Sequence, residues 1–222
     1  MRNVTDAFRS KDYWIVENAK YEKASFRLRK SAQIINAMAK DKKCTLLDVG
    51  CGPAALRPLL APNIGYYGID IAIQNPAPYL REFDTSREPI AFGDQQFDFV
   101  VAMGFFEYMG TRQKEKFEEI KAILKPYGKF IISYINFGHF RRRVWPNYNN
   151  VQSIDEMRDG LKEVFKVDRY FPASHHVRQK QPGSLAIPGL QMHVNYRIPV
   201  FSPLLAVEYL FICSQQNASS SV

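Results

Sequence analysis

The sequence has little cysteine and no long apolar run. Its 222 residues include three cysteines, an odd number, with neither the paired spacing of a disulfide framework nor the spacing of metal ligands. No apolar run approaches the roughly 20 residues that a membrane-spanning helix needs, and the polar segment 1–10 lacks the apolar stretch of a signal peptide. These absences argue against structural disulfides, a metal centre and a membrane span, and they favour a reduced, cytoplasmic protein.

Neither an internal repeat nor a linker-like segment divides the chain. The hydrophobic fraction of 46% and the charged fraction of 23% are ordinary for a globular protein. A chain of this length is large enough to bury a substantial core as one unit. The sequence therefore predicts a single domain over residues 1–222.

Positive charge is concentrated at the two ends of the chain. The net charge is +8. Residues 1–43 have 11 Lys and Arg against 5 Asp and Glu, residues 44–135 have 9 against 11, and residues 136–222 have 10 against 6. The basic flanks indicate either an anionic partner or ordinary solvated faces, and charge alone leaves both interpretations open.

Short apolar runs alternate with amphipathic segments. Strands are predicted at 44–49, 64–71, 79–84, 97–106, 129–135, 164–170 and 206–214. Helices are predicted at 13–40 with room for one break, 54–60, 111–125 and 153–164. This alternation predicts an α/β fold with a doubly wound, mostly parallel sheet. Ligands of such sheets bind beyond the carboxyl ends of the strands.

The stretch "LLDVGCGPAAL" (46–56) ends a strand in an acid and a glycine turn. From Gly50 onward it matches the dinucleotide pattern G-x-G-x-x-A, and Asp70 after the next strand matches the ribose-binding acid of that pattern. Pro53, however, offers no amide hydrogen to a pyrophosphate, and Asp48 would repel phosphates. A carboxylate there suits a ligand with a cationic amino group, such as S-adenosylmethionine. This stretch alone leaves both cofactors open.

Four ordered motifs make the chain resemble the class I S-adenosylmethionine-dependent methyltransferases. "LLDVGCGPA" is similar to their first motif, "YYGIDI" to their second, and "FDFVVAMGFFEYM" to their fourth-strand motif. "EEIKAILKPYGKFIIS" is similar to their helix with an L-K-P-G-G turn and fifth strand, with Tyr127 replacing the first glycine of that turn. The resemblance covers 44–135 and, more loosely, 164–214. It implies a Rossmann-like seven-stranded sheet with an antiparallel last strand, a helical lid and a cap insertion before the last strand.

The same resemblance divides the single domain into parts. Residues 1–43 would form the N-terminal helical lid, 44–135 the cofactor-binding core, 136–214 the substrate-side half, and 215–222 a disordered tail. The family's second helix would be vestigial or absent, because only a short segment separates the second and third predicted strands.

The first motif and the second strand would hold the cofactor, as the resemblance implies. Gly50 and Gly52 would pack against it, with Cys51 as the small residue between them. Asp48 would hold its amino end, partly through water, and Asp70 would bind the ribose hydroxyls.

The remaining cofactor contacts would come from later strand ends. Ile71 would lie on the adenine ring, and Asp84 or Thr85 would approach the adenine amino group. Met103 and Gly104 would line the methionine end.

Basic residues supply further candidates. In related enzymes a basic residue before the first strand meets the cofactor carboxylate, and Arg27 and Lys30 are the candidates here. The segment "NFGHFRRRVW" (136–145) combines cations with aromatic faces, which suits phosphate, carboxylate or a stacked base; a solvated basic turn is the alternative. Residues 172–203 are numerous enough to form a functional loop.

Catalysis on an activated sulfonium rests on positioning, and a general base is needed only if the acceptor must lose a proton. The candidate catalytic residues are His139, Glu107 and Tyr108. His175 and His176 are further candidate bases, although a loop histidine without a catalytic role is the alternative for each of the histidines.

The predicted function is methyl transfer from S-adenosylmethionine, with S-adenosylhomocysteine as product, to an oxygen or nitrogen atom of a small molecule. An anionic acceptor is one option. The alternatives are an RNA methyltransferase, a non-catalytic S-adenosylmethionine-binding partner subunit and, further off, a nicotinamide oxidoreductase. No N/D-P-P-Y/F tetrapeptide follows the fourth predicted strand, which argues against amino-directed DNA or glutamine substrates.

Overall fold

The computed structural model describes residues 3–4, 8–138, 148–176, 191–192 and 206–216. His139, the basic segment after it, most of the predicted cap insertion and residues 217–222 of the predicted tail lie outside the described residues. At His175 and His176 the backbone is described and the side chains are not.

The described helices and strands follow the predicted alternation. The helices are α1 (Lys11–Asn18), α2 (Phe26–Ala39), α3 (Gln113–Ile123) and α4 (Ile154–Lys162). The strands are β1 (Asn3–Val4), β2 (Cys44–Val49), β3 (Ile64–Asp70), β4 (Leu80–Glu82), β5 (Phe97–Met103), β6 (Leu124–Ile135), β7 (Asn150–Val151), β8 (Phe165–His176), β9 (Gln191–Met192) and β10 (Ala206–Gln215).

One mixed sheet organises the described part of the chain. Its strand order is β4-β3-β2-β5-β6-β10-β8-β9. Strands β2 to β6 pair in parallel, whereas β10 runs antiparallel to both β6 and β8. The predicted seven strands with an antiparallel last strand are therefore confirmed, and the two-residue β9 adds an outer edge. Strands β1 and β7 form a separate antiparallel pair.

Helices cover both faces of this sheet, as a doubly wound fold requires. On one face, Ile35 of α2 lies in the same buried cluster as Leu46 of β2. On the other face, Phe117 of α3 and Leu161 of α4 lie in one cluster with Leu47 of β2. Successive side chains of β2 thus enter opposite cores, because strand side chains alternate between faces.

The helix predicted at 54–60 is wrong. Only a single 3₁₀ turn, Arg57–Leu59, forms there. Ala54 has a φ of 56°, in the left-handed region that a right-handed helix does not contain, and Pro58 has no amide hydrogen for a helical bond. The second crossover, residues 71–79, is described throughout and contains no helix, as predicted.

The predicted N-terminal helix is divided in two. Ser10 caps α1 by accepting a hydrogen bond from the Tyr13 amide, and Ser25 caps α2 by accepting one from the Leu28 amide. The 3₁₀ turn Ala19–Tyr21 lies between the two helices. Within the described part of the chain, none of the helices has the length and apolar character that crossing a membrane requires.

Candidate functional site

A cavity lies at the carboxyl ends of the parallel strands, beside α1 and α2. Apart from Lys30, the alternative to Arg27, it is lined by all the residues predicted to bind the cofactor, together with two of the three predicted catalytic residues. The lining residues predicted from the sequence are Arg27, Asp48, Gly50, Cys51, Gly52, Asp70, Ile71, Asp84, Thr85, Met103, Gly104, Glu107 and Tyr108. The third catalytic candidate, His139, is outside the described residues.

The turn after β2 needs glycine at both predicted positions. Gly50 has a φ of 70° and Gly52 a φ of 51°. A Cβ atom on Gly50 would lie 2.8 Å from Cδ2 of Phe105, which is too close. The Gly50 and Cys51 amides both donate to the Ile69 carbonyl, at 2.9 and 3.1 Å. The turn is therefore held close to the end of β3.

Cys51 packs inside this turn. A Cβ atom on Gly68 of β3 would lie 2.8 Å from the Cys51 sulfur. Burial, with the nearby acids Asp48 and Asp70, raises the pKa of the Cys51 thiol. A thiol with a raised pKa is rarely ionised, and only the ionised thiolate is a good nucleophile. This supports the interpretation of Cys51 as a packing residue.

Asp70, at the end of β3, has an extensively bonded carboxylate. Its Oδ2 accepts a hydrogen bond from the Gly52 amide at 2.8 Å. Its Oδ1 accepts from the Ala72 amide at 2.9 Å and from Asn18 Nδ2 at 3.2 Å. Burial raises the pKa of Asp70, while these three hydrogen bonds oppose the rise. The lid residue Asn18 thus contacts the predicted ribose site, a role that sequence reasoning missed.

Asp48 is buried at the end of β2 and accepts a hydrogen bond from the Tyr66 hydroxyl at 2.9 Å. Burial raises the pKa of Asp48 to about 7; the Tyr66 hydrogen bond opposes this rise and the charge of Asp70 adds to it. A cationic group nearby would favour the ionised form, because opposite charges lower the pKa of a carboxyl. Asp48 is therefore suited to a cationic ligand.

On the predicted adenine side, the Asp84 carboxylate is already hydrogen-bonded within its own turn. Asp84 Oδ1 accepts from the Ser86 amide at 3.0 Å and from the Ser86 hydroxyl at 2.5 Å, and its Oδ2 lies 3.3 Å from Arg87 Nε. Thr85 is buried, and Ile71 also lines the cavity. The Asp84 carboxyl thus stabilises the local turn.

At the predicted methionine end, the Arg27 guanidinium packs against the backbone of Gly104, the residue that follows β5. Gly104 has a φ of 72°, and a Cβ atom there would lie 2.9 Å from Arg27 Nη2. Arg27 Nη1 pairs with Glu208 Oε2 at 3.2 Å. Burial alone would lower the pKa of Arg27, but the carboxylates of Glu208 and Glu107 outweigh it and raise that pKa. Lys30, the other basic candidate, donates instead to the Pro172 and Ala173 carbonyls.

Glu107 lies in the 3₁₀ turn after β5 and has a side chain with 0% exposure. Its Oε1 accepts a hydrogen bond from the Ile135 amide at 2.9 Å. Its Oε2 has no hydrogen-bond partner among the described residues. Burial raises the pKa of Glu107 to about 7, although its own backbone amide, the charge of Arg27 and the Ile135 amide oppose the rise.

Two asparagines fix the turn that contains Glu107. The Asn149 amide donates to the Glu107 carbonyl at 2.9 Å, and Asn149 Nδ2 donates to the Tyr108 carbonyl at 3.1 Å. Asn150 Nδ2 donates to the Phe106 carbonyl at 3.4 Å. Three consecutive carbonyls are therefore held by one short segment, which sets the position of Glu107.

Three aromatic side chains line the cavity next to this turn, and we call them the aromatic wall: Trp14, Tyr108 and Tyr148. The Trp14 and Tyr108 rings meet edge to face at 4.8 Å, and the Tyr108 and Tyr148 rings lie 5.6 Å apart at a 42° tilt. Since Trp14 belongs to α1, the wall joins the lid to the core. Its hydrophobic and aromatic character is typical of small-molecule pockets.

Helix α1 crosses the cavity and is bonded to the rest of the chain in its middle, where Gln74 Nε2 donates to the Ile15 carbonyl, and at both ends. Lys11 Nζ at its start pairs with Glu82 of β4 at 2.6 Å, and Asn18 at its end bonds to Asp70. This arrangement places α1 along the cavity, and the role of residues 1–43 as a lid stays a prediction. Sequence reasoning did not find Asn18 or Trp14 as site residues, because a polar and an aromatic residue in a surface helix give no signal of what they face.

Comparison with protein families gives one match, a methyltransferase domain over residues 21–180. No curated protein matches the chain in sequence.

Solved structures resemble the fold over nearly the whole chain. A chain of the complex between the Haloferax volcanii Trm112 methyltransferase activator and a methyltransferase has a TM-score of 0.64 and 19% identity, covering 93% of this chain and 96% of that one. A S-adenosylmethionine-dependent methyltransferase from Archaeoglobus fulgidus has a TM-score of 0.62 and 16% identity, covering 92% and 100%. Another from Aquifex aeolicus has a TM-score of 0.59 and 15% identity, and the match covers 90% of this chain and 98% of that one.

Proposed function

The chain belongs to the methyltransferase domain family and is an S-adenosylmethionine-dependent methyltransferase, and on that premise we propose that it methylates an oxygen or nitrogen atom of a small molecule. Family membership sets aside the nicotinamide alternative. The cytoplasmic location and the division into lid, core, substrate-side half and tail stay predictions.

The residues at the strand ends fit the cofactor. Gly50 and Gly52 add no side chains to the turn, which lets a ligand approach the backbone at these two positions. Asp70 accepts a hydrogen bond from the Gly52 amide of that turn and can also accept hydrogen bonds from ribose hydroxyls. Asp48 suits the cationic amino group. Arg27 is the cation for the carboxylate. When bound, the cofactor supplies an electrophilic methyl group on a sulfonium sulfur.

The observation that carries the small-molecule proposal is the position of α1. The lid bonds to Asp70 through Asn18 and contacts Tyr108 through Trp14, so it covers the space between the predicted ribose site and Glu107. An acceptor in this space is enclosed by protein on several sides, which suits a small molecule better than a polymer. Enclosure also excludes water from the methyl group and orients the acceptor, the two contributions that methyl transfer needs most.

Calorimetric titration tests the cofactor assignment. S-adenosylmethionine and S-adenosylhomocysteine should both bind, and nicotinamide adenine dinucleotide should not. Failure of both sulfur compounds to bind would contradict the assignment.

Transfer of a labelled methyl group tests the acceptor class. The protein is incubated with methyl-labelled S-adenosylmethionine and a cell extract divided into a small-molecule fraction and an RNA fraction. Label should appear in the small-molecule fraction. Label confined to RNA, with binding that weakens steeply as salt rises, would support the RNA alternative, and no transfer to either fraction would support a non-catalytic binding subunit.

A further inference from the structure

Glu107 has a hydrogen-bonding capacity that the described protein does not use. Its carboxyl group is fully buried, and Oε1 is bonded to the Ile135 amide. Oε2 has no hydrogen-bond partner among the described residues, nor does the buried Nε of its charge neighbour Arg27, and both side chains line the cavity. Buried carboxylate oxygens are normally hydrogen-bonded, so this oxygen calls for a donor that comes from a ligand.

The charges around Glu107 favour a cationic ligand. Arg27 from α2 and Glu208 from β10 face the same region, and they pair with each other at 3.2 Å. Since Arg27 then compensates one carboxylate, an ionised Glu107 leaves a net negative charge around this pair. The sequence left an anionic acceptor as an option, but an anion beside Glu107 would meet a buried carboxylate, while Arg9, the other cation among the described residues that line the cavity, lies over the Tyr13 ring of α1.

The aromatic wall adds a second, independent preference. Faces of tryptophan and tyrosine rings attract ammonium groups and also pack against apolar carbon atoms. Trp14, Tyr108 and Tyr148 line the same cavity as Glu107, and Tyr108 is the next residue in the same turn. A carboxylate beside a group of aromatic rings is an arrangement that recognises a protonated amine.

We propose that Glu107 and the aromatic wall bind a small protonated amine, and that its nitrogen is the methyl acceptor. This inference rests on the proposed function and names its substrate class. The ammonium group donates a hydrogen bond to Glu107 Oε2, and the carbon skeleton of the amine packs against Trp14, Tyr108 and Tyr148.

The chemistry balances without any further reagent. One ammonium proton passes to Glu107 Oε2, which frees the nitrogen lone pair. That lone pair forms the new N–C bond to the methyl carbon while the C–S bond breaks, and the electron pair of the broken bond stays on sulfur. The positive charge of the sulfonium is thereby transferred to the methylated nitrogen, and the proton leaves Glu107 to solvent after release of product.

A matched set of three probes tests the proposal by binding. The protein saturated with S-adenosylhomocysteine is titrated with 2-phenylethylammonium, 3-phenylpropionate and 2-phenylethanol, which share a phenyl ring and differ in the charge of the end group. The ammonium probe should bind at least about tenfold more tightly than either of the others. Equal or weaker binding of the ammonium probe, including no measurable binding of any probe, would overturn the proposal.

Two variants separate the role of Glu107 from effects on the fold and on the cofactor. Glu107→Gln keeps an acceptor for the Ile135 amide, and it should reduce the ammonium preference to less than about threefold. Glu118→Gln changes an exposed glutamate of α3 in the same way and should leave the preference intact.

The affinity for S-adenosylmethionine decides between two uses of Glu107. It should change less than about threefold in Glu107→Gln. A loss of more than about tenfold would assign Glu107 to the cofactor instead and overturn the amine proposal. If S-adenosylhomocysteine fails to bind even the unaltered protein, the proposed function fails, and the probes are then titrated into the protein alone, where the same ranking decides the inference.

Discussion

At the scale of single residues, three buried acids at neighbouring strand ends have different surroundings. Asp70 accepts three hydrogen bonds, Asp48 accepts one from Tyr66, and Glu107 accepts one at Oε1. Hydrogen bonds to the charged form keep a buried carboxyl ionised, whereas burial without them favours its protonation. We therefore expect Asp70 to act as a permanent acceptor of hydrogen bonds and Glu107 to exchange protons.

Replacing Asp70 with alanine should weaken the binding of S-adenosylmethionine by about tenfold or more. Charge-assisted hydrogen bonds are each worth about 1.5–3 kcal/mol, and the ribose would lose those that Asp70 offers. Calorimetry measures the change, and circular dichroism checks that the fold is kept. The exposed acid Asp41 supplies the matched control, Asp41→Ala, which should bind normally. An Asp70→Ala affinity within about twofold of the original, under roughly half a kcal/mol, would mean that the ribose role is wrong.

The sequence predicted the residues around the cavity better than the contacts between them. Residues such as Gly50 and Asp70 were found because the carboxyl ends of parallel strands meet at one edge of the sheet. Tyr66 had a usable signal, since it lies four residues before Asp70 in β3 and shares its face. Asn18 had none, because its contact with Asp70 joins residues 52 apart and depends on where the lid helix lies.

At the scale of elements, α1 contacts the predicted ribose site through Asn18, which donates to the Asp70 carboxylate and to the Ala72 carbonyl. A carboxylate has about four acceptor positions, and three of those on Asp70 are taken by Gly52, Ala72 and Asn18. Two ribose hydroxyls need two positions. One of the three donors must therefore release Asp70 if the ribose binds there, and we expect it to be Asn18, whose hydrogen bond of 3.2 Å is the longest of the three. Helix α1 would then compete with the cofactor.

Asn18→Ala should consequently tighten the binding of S-adenosylhomocysteine by about threefold to tenfold, equivalent to about 1 kcal/mol. Calorimetry on the variant measures this gain. Lys11→Met is the matched control, because it removes another contact of α1, the ion pair with Glu82, without touching Asp70. That exposed ion pair contributes little, so its loss should change affinity less than about twofold. Weaker binding by Asn18→Ala would show that Asn18 supports the bound cofactor instead of competing with it.

The secondary-structure predictions were correct where the hydrophobic periodicity agreed with the signals for the ends of a helix. For α4, Ser153 and Glu156 form the capping box that their spacing predicted. The helix predicted at 54–60 failed, because the left-handed conformation of Ala54 is imposed by the turn around the ligand site and leaves no mark in the local pattern. Elements that serve the fold were thus easier to predict than the crossover that serves the site.

At the scale of the whole molecule, the buried acids link stability to pH. Burial raises the pKa of Asp48 from 3.8 to about 7 and that of Glu107 from 4.5 to about 7. Between about pH 4 and 7 the unfolded chain has therefore released protons that the folded chain still holds. Each such group lowers the free energy of unfolding as pH rises, by up to about 1.4 kcal/mol per pH unit. Below this window Asp98 acts in the opposite direction, because its pKa is lowered by hydrogen bonds from Lys125 and Thr45, which outweigh its desolvation.

The ligand-free protein should accordingly lose stability from about pH 5 to about pH 7, although many proteins are most stable between pH 5 and 8. Urea unfolding at several pH values measures the slope, and Asp48→Asn and Glu107→Gln should each flatten it, whereas the surface variant Glu118→Gln should not. Parallel slopes in all four proteins would contradict a raised pKa at either site. A saturating cationic ligand should flatten the slope as well, because it holds these carboxyls in their ionised form and removes the protons that the folded chain otherwise keeps. Folding and proton uptake are thus linked through Asp48 and Glu107, and a cationic ligand acts on both through the ionised form of these two carboxyl groups.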